Sequence, residues 1–125
     1  MHDPTEGGLA TALAELAAAS GCGVEVDAAA VHVLPETRAF CHALGADPWG
    51  LIASGALLIT AAPESAEGVT GAVRAHGVPA AVIGHMTAPG EGLVLIEGGR
   101  RRPLPHFDRD EIARLLERGG RPVAT

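Results

Sequence analysis

Apolar positions first recur at helical spacing. Leu9, Leu13 and Leu16 share one face, and Ala10, Ala14 and Ala18 line the opposite side. This pattern predicts a first helix over residues 4–20, ended by Gly21. Val24-Glu25-Val26-Asp27 then alternates apolar and charged, as a half-buried strand does. A loop over residues 28–35 leads to a second helix over 35–44, stapled by Phe40 and Leu44 and stopped at Gly45. Asp47-Pro48-Trp49-Gly50 is a turn signal. Residues 56–60 are apolar at consecutive positions, which predicts a central strand covered on both faces. Pro63-Glu64 opens a third helix with Val69 and Val73 inward, closed by His76-Gly77. Residues 80–86 read as another buried strand and 93–97 as a further one. Gly98-Gly99 is a two-residue hairpin signal leading into 100–104. Asp108-x-x-Glu111 has the form of a capping box before a last helix with Ile112, Leu115 and Leu116 inward, ended by Gly119-Gly120.

The predicted order is α-β-α-β-α-β-β-α. Mixed order and a late hairpin point to an α+β fold, an α/β sandwich in which helices cover a mixed sheet of about four strands. Those strands are placed near residues 24–27, 56–60, 80–86 and 93–97. A length of 125 residues fits one domain, taken as 1–118, with 119–125 as a flexible tail.

Composition narrows the function classes. Aromatic residues make up only 2% and Tyr is absent, so the core must come from Ala, Val, Leu and Ile. The chain has no Lys, and its net charge is -6. Acidity without stacking platforms argues against nucleic-acid binding. Arg100-Arg101-Arg102 is explained by a solvated hairpin strand. A Walker A loop is impossible without Lys, and Gly7-Gly8 follows no strand, so the dinucleotide fingerprint is missing too. Cys22 and Cys41 fit two thiols in a reducing compartment. The six His show no zinc spacing. Ser54 has no surrounding nucleophile motif. With no membrane-spanning run and no signal peptide, a soluble cytoplasmic protein is expected.

The most informative stretch is His2-Asp3-Pro4-Thr5-Glu6-Gly7-Gly8-Leu9. As a helix start, Asp3 is the N-cap, Pro4 the first helical residue and Glu6 the far side of a capping box. As a ligand-facing turn, Gly7 and Gly8 give up about 1 kcal/mol each of helix propensity for bare backbone that a ligand or another chain can approach. Free N–H groups at a helix start suit a phosphate. Asp3 and Glu6 repel a bare anion, whereas a phosphate bridged through Mg²⁺ reverses the sign. The two readings are compatible.

The same residues, Met-His-Asp-Pro-Thr-x-Gly-Gly-Leu-Ala followed by Leu13-x-Glu15-Leu16-Ala17-x-x-Ser20-Gly21-x-Gly23, resemble the start of the C-terminal domain of the AIR synthase-related (PurM-like) superfamily. The likeness is closest to its hydrogenase expression/formation, HypE-like branch. It implies a two-domain, ATP-dependent enzyme. An N-terminal domain then carries most of the ATP and Mg²⁺ site and forms the dimer. The C-terminal domain closes over it and contributes its glycine-rich first turn. Asp3, Thr5, Gly7 and Gly8 match the positions that face substrate or phosphate, and Asp3 is the position that would meet Mg²⁺ through phosphate. No cofactor is expected to bind tightly to this domain alone. The implied partners are an N-terminal AIR synthase-like domain, in the same or a separate chain, and a second copy in a homodimer.

Three departures limit what is carried over. Glu6 stands where the branch usually has Arg. Ala53-Ser54-Gly55-Ala56 lacks the acidic pattern of several relatives, so no catalytic acid is assigned there. The branch builds a thiocyanate on a terminal cysteine; this chain's last residues are Arg121-Pro122-Val123-Ala124-Thr125, so that step is not carried over. The alternative expectation is a stand-alone, non-catalytic binding or dimerisation module.

Overall fold

A computed structural model of the chain describes residues 1–119. Its helices are α1 (Gly8–Ser20), α2 (Pro35–Leu44), α3 (Ala66–Ala75) and α4 (Glu111–Gly119). Its strands are β1 (Gly23–Asp27), β2 (Gly84–Thr87), β3 (Leu93–Glu97) and β4 (Arg100–Pro103), forming one mixed four-stranded sheet in the order β2-β1-β3-β4. The fold is α+β, as the mixed order of runs predicts. By its internal contacts the chain divides into two compact units.

The first unit comprises Met1, Ala17–His32 and Ile59–Leu104, and holds the whole sheet. β1 runs parallel to β3, with Val24 opposite Leu93 and Val26 opposite Leu95. This register brings the apolar sides of both strands onto one face, where Val24, Val26 and Leu95 are buried. Full burial of such side chains is worth about 1.5–3 kcal/mol each. The opposite face carries Glu25, paired with His85 of β2. β3 returns as β4 through Gly98 and Gly99, at φ 58° and 76°. Positive φ at both central residues is what a type I′ hairpin requires. β4 is exposed along its length, as read from the arginine run. Arg101 pairs with Glu25, and Arg102 lies 3.3 Å from Glu97.

The second unit comprises His2–Leu16, Val33–Leu58 and, among the described residues, 105–119. Of its residues, Ala10, Ala12 and Leu13 of α1, Cys41 of α2 and Pro4 are buried. α2 starts at Pro35 and its Gly45 N–H closes onto the Cys41 carbonyl, matching the predicted bounds.

Several expectations fail for identifiable reasons. Residues 56–60 are not a central strand. Only Leu58 pairs, in an isolated antiparallel bridge with His2, and Leu57 and Ile59 are exposed. Their run of apolar residues is the pattern of a doubly covered strand, but the sheet ends at β2 and β4 and gives them no ladder. Residues 80–83 likewise stay outside the sheet, and β2 is a short edge strand rather than a buried one. Phe40 and Leu44 do not staple α2; it buries Cys41 and leaves both of them exposed. Ile112 and Leu116 point outward from α4, since Glu111 takes the buried position at its start. The flexible tail expected over 119–125 lies beyond the described residues except for Gly119, which is the last residue of α4.

Candidate functional site

The first turn does not begin the helix. Gly7 and Gly8 have φ of 80° and 66°, left-handed values that interrupt any right-handed helix running in from Pro4, and α1 begins only at Gly8. Asp3 therefore stands too far upstream to be the N-cap, and the Asp3–Glu6 capping box is not formed. Instead the segment is laid against residues 53–58. His2 and Leu58 exchange two backbone hydrogen bonds of 2.8 Å. The Thr5 carbonyl accepts from Gly8 N–H at 3.2 Å and from Ala53 N–H at 3.3 Å. His2 Nε2 lies 2.7 Å from a Glu15 carboxylate oxygen.

The four predicted site residues then separate into two kinds. Asp3 and Thr5 are exposed. Gly7 and Gly8 are buried, and the close approach to their backbone comes from within the chain. A Cβ on Gly8 would stand 2.5 Å from the Leu51 carbonyl oxygen and 2.6 Å from that of Trp49. A Cβ on Gly7 would collide with the Thr11 hydroxyl. The glycine pair is thus required by packing as well as by its φ angles.

The acceptor for the Gly7 amide is Asp110, which sequence reasoning did not select. Its Oδ2 accepts from Gly7 N–H at 2.7 Å in a buried setting, while Oδ1 accepts from Ile112 N–H at 2.9 Å and so caps α4. Asp110 and not Asp108 is the cap; Asp108 is exposed and lies 2.9 Å from His106. Next to it Glu111 accepts from Asp47 N–H at 2.9 Å and forms a two-pronged pair with Arg114 at 2.7 Å. Arg114 also donates to the Gly45 carbonyl at 2.8 Å. The Arg114 hydrogen bond holds the Glu111 carboxyl below its ordinary range against the opposing effect of burial. Asp47 caps the turn over Pro48–Gly50 by accepting from Trp49 N–H at 3.0 Å. The only sequence signal for Asp110 was a second acidic residue beside the capping-box pair; a contact between positions 7 and 110 has no local signature.

As a partial site for Mg²⁺ and a phosphate, the turn fits in one respect. Asp3 and Thr5 offer an exposed carboxylate and hydroxyl, and Mg²⁺ commonly uses one or two carboxylates while keeping several waters. The Gly7 amide is already engaged. Among the described residues no group of three or more His, Cys, Asp or Glu is placed to hold a metal. The polar face of the sheet holds a separate open depression of about 320 Å³, lined by Glu25, His85, Thr87, Glu91, Val94 and Arg101. It does not include the first turn.

Residues 1–96 match the family of the AIR synthase related protein, C-terminal domain. The chain belongs to that family. A carbamoyl dehydratase HypE from Rhizobium leguminosarum bv. viciae is 43% identical over 90 residues, covering 70% of this chain and 26% of the relative. The carbamoyl dehydratase HypE of Escherichia coli K12 is 37% identical over 112 residues, covering 86% and 33%. A crystal structure of a hydrogenase maturation protein HypE in complex with ATP superposes with a TM-score of 0.78 at 36% identity, covering 85% of this chain and 35% of that one. These likenesses fit the HypE branch expected from the first turn. The chain spans about a quarter to a third of the length of these curated relatives. Among the described residues no helix is long and apolar enough to cross a membrane.

Proposed function

We propose that this chain is the C-terminal, substrate- and phosphate-side domain of an ATP-dependent, HypE-like enzyme of hydrogenase maturation. The observation that carries the proposal is the exposed Asp3–Thr5 pair on a turn fixed by buried glycines, in a chain whose relative was crystallised with ATP. Asp3 would meet a phosphate-bound Mg²⁺, and the Thr5 hydroxyl would hydrogen-bond a phosphate oxygen. Bound Mg²⁺ would supply neutralisation of phosphate charge, which this chain's single acidic turn and lack of Lys do not provide. Residues 1–118 act as one functional domain. An N-terminal AIR synthase-like domain, in the same or a separate chain, supplies the remaining walls of the cleft, and the assembly is a cytoplasmic homodimer.

Phosphoryl transfer depends on positioning and electrostatic stabilisation, so half of a composite site gives almost none of the rate. The test is turnover of ATP with the N-terminal domain supplied. Asp3→Ala and Thr5→Ala should lower it by about 10²-fold or more, the scale for lost charge stabilisation, without changing the melting temperature, because both side chains are exposed. Unimpaired turnover in both variants would remove the first turn from the site.

The exposed apolar side chains Phe40, Leu44, Ile112 and Leu116 favour a second possibility, a non-catalytic dimerisation module. Light scattering on this chain alone, without the N-terminal domain, separates the two. A dimer of this chain that resists Phe40→Ser and Leu116→Ser would count against an apolar dimer face.

A further inference from the structure

The start of α4 holds two turns at once through adjacent carboxylates. Asp110 is 9% exposed and Glu111 is 6% exposed, so both are buried acidic groups that need partners. Each divides its acceptors between its own neighbourhood and a distant backbone amide. Asp110 serves Ile112 N–H locally and Gly7 N–H across 103 positions of sequence. Glu111 serves Arg114 locally and Asp47 N–H across 64 positions. The residues next to the two distant targets approach each other closely. Gly8 abuts the carbonyls of Trp49 and Leu51, which belong to the turn capped by Asp47. Gly7 and Asp47 lie within residues 1–96, which match the family, and Asp110 and Glu111 lie after them.

We propose that Asp110 and Glu111 are positioning residues through which the last helix sets the geometry of the first turn. Asp110 fixes the Gly7 amide, and Glu111 with Arg114 fixes the Asp47 turn on which Gly8 rests. Together they determine where Asp3 and Thr5 are presented. Because an internal carboxylate already occupies the Gly7 N–H, ligand contacts at this turn are made by the Asp3 and Thr5 side chains and not by that amide. This last consequence rests on the function proposed above; the positioning itself does not.

The experiment is residue-resolved amide hydrogen exchange on the full chain, with Asp110→Ala, Asp110→Asn and Glu111→Ala. Asp110→Ala should accelerate exchange at Gly7 at least tenfold while Val26 and Leu95 in the sheet keep their rates. Asn retains an acceptor oxygen, so Asp110→Asn should recover much of the protection. Glu111→Ala should accelerate Asp47 and spare Gly7. Unchanged exchange at Gly7 and Asp47 would overturn the proposal. So would a uniform rise at every amide in Asp110→Asn, which is the signature of a merely structural residue. Adding Mg²⁺ and inorganic phosphate to the wild-type chain gives an independent arm. Protection of the Gly7 amide by phosphate to the same degree in the wild type and in Asp110→Ala would refute its occupation by Asp110. If that arm and the turnover test both fail to show any ligand at Asp3 or Thr5, the functional proposal falls and the exchange result still decides the positioning role.

Discussion

Replacing Gly8 by alanine tests whether the glycine turn is built for packing. Two costs apply. The residue sits at φ 66°, where a left-handed conformation costs an L-residue roughly 1–2 kcal/mol. The new Cβ would also stand 2.5 Å from Leu51 O, 2.6 Å from Trp49 O and 2.9 Å from Leu51 N, all backbone atoms that cannot rotate away. Overpacking of that kind costs about 1–3 kcal/mol. The sum, roughly 2–5 kcal/mol, is a large part of the 5–15 kcal/mol typical of a domain. Gly21 provides the control. Its φ is 68°, but a Cβ there meets nothing within 4 Å, so Gly21→Ala carries the conformational cost alone. Urea unfolding of both variants, followed by circular dichroism, isolates the packing part as their difference. We expect Gly8→Ala to lose about 1–3 kcal/mol more than Gly21→Ala. Equal losses would refute the close approach of the Asp47–Leu51 backbone to Gly8.

Further predictions concern titratable and thiol groups. Glu111 is held below its ordinary value by Arg114, so its contribution to stability is full above that ordinary value and is lost as the pH falls through the lowered one. Glu111→Gln should therefore flatten the acid side of a stability-against-pH curve; an unchanged acid limb would contradict the pairing. The Cys41 thiol is pushed up first by burial, then by the Asp47 and Glu111 carboxylates, and it is 5% exposed. At neutral pH it should react with a thiol reagent far more slowly than the half-buried Cys22, and denaturant should erase the difference. Equal rates in the native state would refute that environment. Glu25→Gln should change stability by less than about 1 kcal/mol in thermal melts, because its partner Arg101 is mostly exposed.

Sequence patterns revealed those features whose causes are local. The β1 alternation, the Gly98-Gly99 hairpin and the bounds of α2 each follow from a few neighbouring residues, and each is found where expected. Residues 56–60 show the limit. Consecutive apolar residues say that a segment is hydrophobic but not that a ladder exists to receive it. The start of α1 failed for a different reason. Asp3, Pro4 and Glu6 have every local mark of a cap, yet Gly7 and Gly8 take positive φ, with Thr11, the Trp49–Leu51 backbone and Asp110 close around them. Of the candidate site, the exposed Asp3 and Thr5 were legible as chemistry. Asp110, which accepts from the Gly7 amide, and Glu111, which accepts from the Asp47 amide, were not, since long-range hydrogen bonds leave no periodicity to read.

Calorimetric titration of Mg²⁺-ATP into the chain, alone and combined with an N-terminal AIR synthase-like domain, tests the composite site most directly. One wall of a cleft buries little of a nucleotide, so we expect no saturable binding below about 1 mM to the chain alone. With the second domain present we expect saturable binding that Asp3→Ala weakens. Tight, Mg²⁺-dependent binding and hydrolysis by the 125-residue chain on its own would contradict the composite site.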